Sequence, residues 1–398
     1  MEGDRAVSHV HLLTWRRVTR SIFIFLASTV VTLFAIELRR YQPETRQWSS
    51  SALNALNYLD GGFYGEIARF GYSENRACFF PGYPMLVAPL VDMGVPYSLA
   101  TIIVSWSSLF LAFLLADWYF ELRLPNNPAV GWLALTALAF NPMGFAMHFA
   151  YSEATFLLFV AILLLLIEQT SSIWLVALCC GALTGIRPIG IAAVPVVLWY
   201  AWQSGKSIER RVTYLAVGGV VSVWGLVAFT IVLWHTIGDP LAFIHSQEPY
   251  AMRQNTLEEK VVSLATGGPL RRAIYDRTPS HLYGQKRVGE PSVMSNQVGD
   301  AVFWLLFAGL TIYGGVKRWI TRYELLLSLG IIAIATWFQA DRNNMACQGR
   351  FVSVVLPAYL VAGRLLEQCS SEFRLLFTAI ALSLQFVYVT NFISGCFW

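Results

Sequence analysis

Stretches of roughly 20 apolar residues recur along this chain, and that is the length an α-helix needs to cross about 30 Å of hydrocarbon. Lipid cannot hydrogen-bond a bare backbone, so segments of that length satisfy themselves as helices. Composition agrees: of 398 residues 56% are hydrophobic and 13% charged, with a mean hydropathy of +0.54. The sequence predicts an all-α polytopic membrane protein whose residues 1–398 form one integral membrane domain.

The expected spans are 18–38, 98–121, 129–148, 152–168, 172–186, 189–202, 212–236, 298–316, 323–340, 351–367 and 374–392, about eleven in all. The first follows His9, Arg16, Arg17 and Arg20 and lacks a small-residue cleavage site, so it reads as an uncleaved span. With a cytoplasmic N-terminus, the connections bearing Arg123, then Lys206, Arg210 and Arg211, then Lys317, Arg318 and Arg322, then Arg374 all fall inside, as the positive-inside rule asks. The same count places four segments outside: the first extracytoplasmic loop, 39–97, the turn at 148–153, the long loop 237–297, and "DRNNMACQGR" at 341–350. Arg187 in "GIRPIG" joins them, because Pro188 breaks the helix there.

A net charge of +4 from scattered basic residues gives no argument for a nucleic-acid partner. Cysteines are sparse. Cys78, Cys347 and Cys396 fall outside under this topology, and both a Cys78–Cys347 disulfide and isolated small apolar residues stay open. No CxxC or HxxxH spacing suggests a metal site.

Chemistry gathers in "NYLDGGFYGEIARFGYSENRACFFPGYP", residues 57–84. On a helix, Leu56, Asp60, Phe63, Ile67 and Phe70 share one face and Gly65, Glu66 and Arg69 another, which predicts an amphipathic helix at the membrane surface. Asp60 then lies in the apolar stripe or caps the helix. A carboxylate facing lipid is costly, so something inside the protein is expected to meet it. Glu66 is explained by a solvated face. The aromatic turn of Tyr72, Phe79, Phe80 and Tyr83 anchors the chain at the interface or offers rings on which a sugar can stack.

Other polar residues interrupt apolar surroundings. Glu153 in "AYSEA" is either a first-turn acid favoured by the helix dipole or a second acid of a site, beside His148 and Tyr151. Arg187 would cost about 2.5–3.5 kcal/mol at the bilayer centre unless a cavity or partner received it. Its planar fork suits a phosphate, and a structural pair with a carboxylate is the alternative. Arg350 and Arg342 are further cations at the outer end of a span, with plain snorkelling as the alternative.

"YLDGGFYGEIARFGYSENRACFFPGYPML" resembles the first outer loop of the PIG-V type mannosyltransferases, with Leu59 where that pattern has tryptophan. "NPMGFAMHFAYSEATFLLF" at 141–159 and "GALTGIRPIGI" at 181–191 are similar to later segments of that family. "GDPLAFIHSQ" at 238–247 and "GRFVSVVLPAYLVAG" at 349–363 resemble its shorter bacterial relatives. The resemblance implies a GT-C glycosyltransferase with about 11 transmembrane helices that inverts the anomeric carbon of a hexose, mannose in that family. The donor would be a polyprenyl or dolichyl phosphate sugar, the acceptor a lipid or glycan, and membrane lipids the surroundings, with no cofactor. The membrane would be a bacterial plasma membrane or the endoplasmic reticulum.

In that reading Asp60 is the general base, a role worth about 10²- to 10⁴-fold, and Glu153 assists it. Arg187, Arg350 and Arg342 hold the departing phosphate. Tyr64, Tyr72, Phe79, Phe80, Tyr83, His148 and Tyr151 contact sugar or acceptor. One base and one leaving phosphate need no second carboxylate across the bond, unlike a retaining glycosidase. A transporter or flippase is the competing class; it should show paired broken helices in two halves, and only the break at Arg187 is seen.

Overall fold

The computed structural model describes residues 14–40, 51–247, 255–275 and 296–394, and every regular element among them is helical. In chain order the α-helices are α1 (Trp15–Arg40), α2 (Ala52–Leu56), α3 (Asp60–Phe70), α4 (Gly82–Asp92), α5 (Tyr97–Arg123), α6 (Pro128–Ala139) and α7 (Glu153–Glu168). Then come α8 (Ile173–Ile186), α9 (Val194–Ser204), α10 (Ile208–Val221), α11 (Trp224–Ile237), α12 (Ala242–His245), α13 (Leu257–Ala265) and α14 (Gly268–Tyr275). The last five are α15 (Asn296–Val316), α16 (Arg322–Ala335), α17 (Gln348–Val352), α18 (Leu356–Glu367) and α19 (Ser371–Ile393). The expected loops 39–97 and 237–297 fall partly on residues outside the described set, as does Cys396.

Among the described residues six helices are long and apolar enough to cross a membrane: Trp15–Arg39, Tyr97–Arg123, Ile208–Ile237, Asn296–Val316, Arg322–Ala340 and Ser371–Ile393. A seventh is possible if α6 and the 3₁₀ segment Pro142–His148, bent by 73°, count as one span. This is an integral, multi-pass membrane protein, but the expectation of about eleven spans is wrong. The reason is length. The segments expected at 152–168, 172–186, 189–202 and 351–367 fold into helices of 16, 14, 11 and 12 residues. At 1.5 Å per residue these run from about 16 to 24 Å, short of the hydrocarbon thickness. Burial accounts for their greasiness: Leu157, Val160 and Ala161 of α7, Val176 and Cys180 of α8 and Leu360 of α18 are wholly enclosed. The apolar surface of α7 and α18 meets protein, whereas α8 and α9 bury one face and expose Trp174, Leu175, Leu178 and Trp199 on the other.

Around this interior α5 is the common post. It runs antiparallel to α1, whose Phe25 packs edge-on against Trp106 and Phe110. Beside it stands α7, linked by Ser108 to Thr155 at 3.0 Å and by the Ser105 hydroxyl donating to the Tyr151 carbonyl at 3.2 Å. At the Arg123 end of α5, ion pairs close over the helices. Arg20 meets Asp117 at 2.7 Å, Arg17 and Arg20 both hold Glu121, and Arg123 clasps both oxygens of Glu324 at 2.7 and 3.0 Å. Tyr119 donates to Glu324 as well.

Candidate active site

The opposite end of α5 carries the candidate site. Just before α3 the chain is clamped to it: the Asn57 amide donates to the Ser98 carbonyl at 2.8 Å and accepts from Thr101 at 2.7 Å. Two residues later Leu59 turns to φ 52°, a left-handed conformation costing a bulky side chain of order 1–3 kcal/mol. Helix α3 starts immediately after it, at Asp60, and Leu59 supplies no side-chain cap. Asp60 is therefore neither a cap nor a lipid-facing residue. Its Oδ2 accepts from Arg350 Nη2 at 2.7 Å, and its side chain is 14% exposed.

The buried face of α3 also differs from the expected one. It runs through Gly61, Tyr64, Gly65 and Ile67, whereas Phe70 is exposed. Glycine carries no hydrophobic signal, yet here it permits contact: a Cβ on Gly61 would lie 2.9 Å from the Ala150 Cβ, and one on Gly65 2.5 Å from the Tyr97 ring. Glu66 on the outer face pairs with Arg76.

Glu153 opens α7 and is 1% exposed at its side chain. Two arginines answer that buried charge, as burial of a carboxylate requires. Arg187 Nη1 lies 2.8 Å from Oε2, and Arg350 Nε donates to Oε1. The break before Pro188 delivers the first of these: α8 ends at Ile186, Arg187 is extended, and Pro188–Ala193 form a 3₁₀ turn. Arg187 also donates to Ser152 at 3.0 Å, and Ser152 stands 3.0 Å from the Tyr64 hydroxyl. Arg350 comes from α17 and stacks 4.6 Å above the Tyr151 ring. Burial pulls the Arg350 guanidinium down, but Glu153 and Asp60 overcome this and hold it well above its ordinary value.

These groups stand beside a cavity of about 380 Å³. Four cationic side chains line it, Arg187, Lys260, Arg342 and Arg350, against two carboxylates, Asp60 and Asp300. Lys260 sits 4.5 Å above the Trp337 ring, and neither it nor Arg342 forms an ion pair among the described residues. The remaining wall is largely apolar, including Phe79, Phe80, Phe338 and Phe351. A pocket with apolar walls and an excess of positive charge suits an anionic amphiphile. Among the described residues no group of three or more His, Cys, Asp or Glu is placed to hold a metal ion.

Of the residues singled out by sequence, Asp60, Glu153, Arg187 and Arg350 form one connected network, and Tyr64, Phe79, Phe80 and Arg342 share its cavity. Tyr151 lies under Arg350 and donates to the Tyr58 carbonyl at 2.9 Å. Three stand apart from both the network and the lining. Tyr72 packs on Phe229, Tyr83 is enclosed with its hydroxyl on the Thr101 carbonyl at 2.7 Å, and His148 is buried, its carbonyl accepting from Trp106 at 2.9 Å. Cys78 and Cys347 both line the cavity as free thiols. Burial pushes each up to about 12.

Sequence reasoning missed Asp300 and Lys260. Asp300 carried the signal that flagged Asp60, a carboxylate at the start of an apolar run; Lys260 lies in a polar stretch where a lone lysine is unremarked.

No family model and no curated protein matches this chain. Among the solved structures that resemble it are two of one archaeal protein. One is the crystal structure of the Archaeoglobus fulgidus oligosaccharyltransferase tethered with an acceptor peptide containing the NVT sequon, at 13% identity and a TM-score of 0.44, covering 95% of this chain and 55% of that one. The other is the archaeal oligosaccharyltransferase AglB from Archaeoglobus fulgidus in complex with an inhibitory peptide and a dolichol-phosphate, at 12% identity and a TM-score of 0.42, covering 97% and 56%. The chain spans about half the length of these proteins.

Proposed function

We propose that this protein is a GT-C-type glycosyltransferase that moves a hexose, mannose by resemblance, from a polyprenyl or dolichyl phosphate to a lipid or glycan acceptor on the extracytoplasmic or lumenal face. The observation that carries the reading is a carboxylate, Asp60, at the wall of a largely apolar cavity whose other charged groups are four cations and one further carboxylate. In the transfer step the acceptor hydroxyl oxygen bonds to the anomeric carbon as the bond from that carbon to the phosphate oxygen breaks. The hydroxyl proton passes to Asp60, and the lipid phosphate leaves as an anion.

The four cations divide in this scheme. Arg187 and Arg350 already face Glu153 and Asp60, so they fix the acids. Arg342, with Lys260 beside the same space, forms no ion pair among the described residues and takes the phosphate. Phe79 and Phe80 offer rings to the sugar or the first isoprene unit.

The test is reconstitution of the purified protein in liposomes with synthetic polyprenyl-phosphate mannose and a membrane lipid extract, with products read by mass spectrometry. A mass gain of one hexose on an extract component, absent with Asp60→Asn, is the expected result. No transfer from any polyprenyl-phosphate sugar, or near-normal turnover in that variant, would remove the proposal.

A further inference from the structure

Arg350 touches both acids of the site, yet the segment that presents it is poorly built by its own residues. Asn344, Met345 and Cys347 all have positive φ, at 48°, 68° and 65°. Cys347 is the N-cap of α17 and has no oxygen with which to cap it, so the first amides of the helix need an acceptor from elsewhere. Asp300, buried in the first turns of α15, provides it. Its Oδ2 accepts from the Cys347 amide at 2.7 Å and its Oδ1 from the Gly349 amide at 2.8 Å. Gln297, one turn earlier on α15, donates to the Asn344 carbonyl at 3.2 Å. The fit leaves no slack, because a Cβ on Gly349 would come 2.9 Å from Asp300 Oδ1 and 2.7 Å from Met143 Cγ. With each oxygen given to an amide, Asp300 is badly placed to accept a substrate proton.

We infer that Asp300 is a positioning residue whose carboxylate replaces the missing cap of α17 and so sets Arg350 between Glu153 and Asp60. The purpose of that placement rests on the glycosyltransferase reading; the placement itself does not.

Asp300→Asn turns one of the two acceptors into a donor facing an amide N–H. Hydrogen exchange of the full-length protein in detergent or nanodiscs should show the Cys347 and Gly349 amides losing protection by about tenfold or more, with α1 and α5 unchanged. Phenylglyoxal labelling of Arg350, read by mass spectrometry, should rise severalfold as the guanidinium leaves its acids. Transfer should fall about 10- to 100-fold, the cost of misplacing a group by about 1 Å. In an Arg350→Ala background the same change should cost under about twofold more, because the two act through one contact. Should Asp300→Asn fail to fold, Gly349→Ala, which presses a methyl group onto Oδ1, gives the same exchange and labelling signatures, and Asp300→Glu restores part of the protection. Unchanged exchange at 347 and 349, unchanged labelling of Arg350, or losses that multiply in the double variant overturn the inference. A wild-type protein that transfers no sugar removes the functional reading alone, since exchange and labelling still decide the role of Asp300.

Discussion

At the Glu121 end of α5, arginines and carboxylates close on one another, and at the Tyr97 end they stand around a hollow. The closed end sets three cations, Arg17, Arg20 and Arg123, against four acids, Asp117, Glu121, Glu168 and Glu324. Every charge there is answered by a neighbour. At the other end Glu153 lies behind the wall, and the lining itself holds four cations to two carboxylates. The same residue types thus serve two purposes, and what separates them is space together with an uncompensated sign. Buried pairs that saturate one another chiefly keep helices in register; an excess of one charge beside a cavity waits for a ligand.

The largest effect should come from Asp60→Asn at the open end. Transfer should drop by about 10²- to 10⁴-fold while the thermal midpoint stays near that of the wild type. A variant that instead unfolds with its activity per folded molecule intact would make Asp60 a structural residue like those of the closed end.

The mirror experiment is Glu324→Gln, which leaves Arg123 only the more distant Glu168, at 4.0 Å, and turns one of the two oxygens that serve Arg123 and Tyr119 into an amide donor. Breaking a buried pair in this way costs about 3–5 kcal/mol, to be read as a lowered unfolding midpoint, with turnover per folded molecule preserved. Loss of turnover without loss of stability would erase the distinction between the ends.

A smaller effect is expected at Lys260 and Arg342, which form no ion pair among the described residues. Lys260→Ala and Arg342→Ala should each raise KM for the lipid-phosphate donor about tenfold, the value of one charge-assisted hydrogen bond of about 1.5 kcal/mol, with little change in kcat. A fall in kcat at constant KM would move these residues from phosphate binding to the chemical step.

The smallest effect is a pH response in the helices beside the cavity. Asp341 accepts from Asn255 and Arg272, both at 2.7 Å, which ties α13 and α14 to the end of the α16 span. Burial pushes this carboxyl up, but the hydrogen bonds from Ser263, Asn255 and Arg272 outweigh it and hold it below its ordinary value. A group lowered by folding stabilises above its unfolded value, about 3.9 for aspartate, and that support is lost as pH falls through the lower folded value. Exchange in 255–275 should therefore quicken only below about pH 4, and Asp341→Asn should show the faster rate at neutral pH.

Much of the open end was readable because a charge in apolar surroundings demands an explanation, and Asp60, Glu153, Arg187 and Arg350 all announce themselves in that way. Their mutual contacts were not readable. They join α3, α7, the break after α8 and α17, and no local pattern states which distant helices meet. Hydropathy also reports neither helix length nor which faces are buried in protein, so α7, α8, α9 and α18 looked like spans when they are helices of 16, 14, 11 and 12 residues. The working face of α3 was hidden for a related reason, since its closest contacts are made by Gly61 and Gly65.

The hydroxyl of Ser105 reaches the Tyr151 carbonyl just ahead of α7, eight residues along α5 from Tyr97. At 1.5 Å per residue, that tie lies about 12 Å along α5 from its Tyr97 end. Glu153, two residues beyond that carbonyl, is wholly buried and absent from the cavity wall, so its charge meets a ligand there only by way of Arg187 and Arg350, which line it.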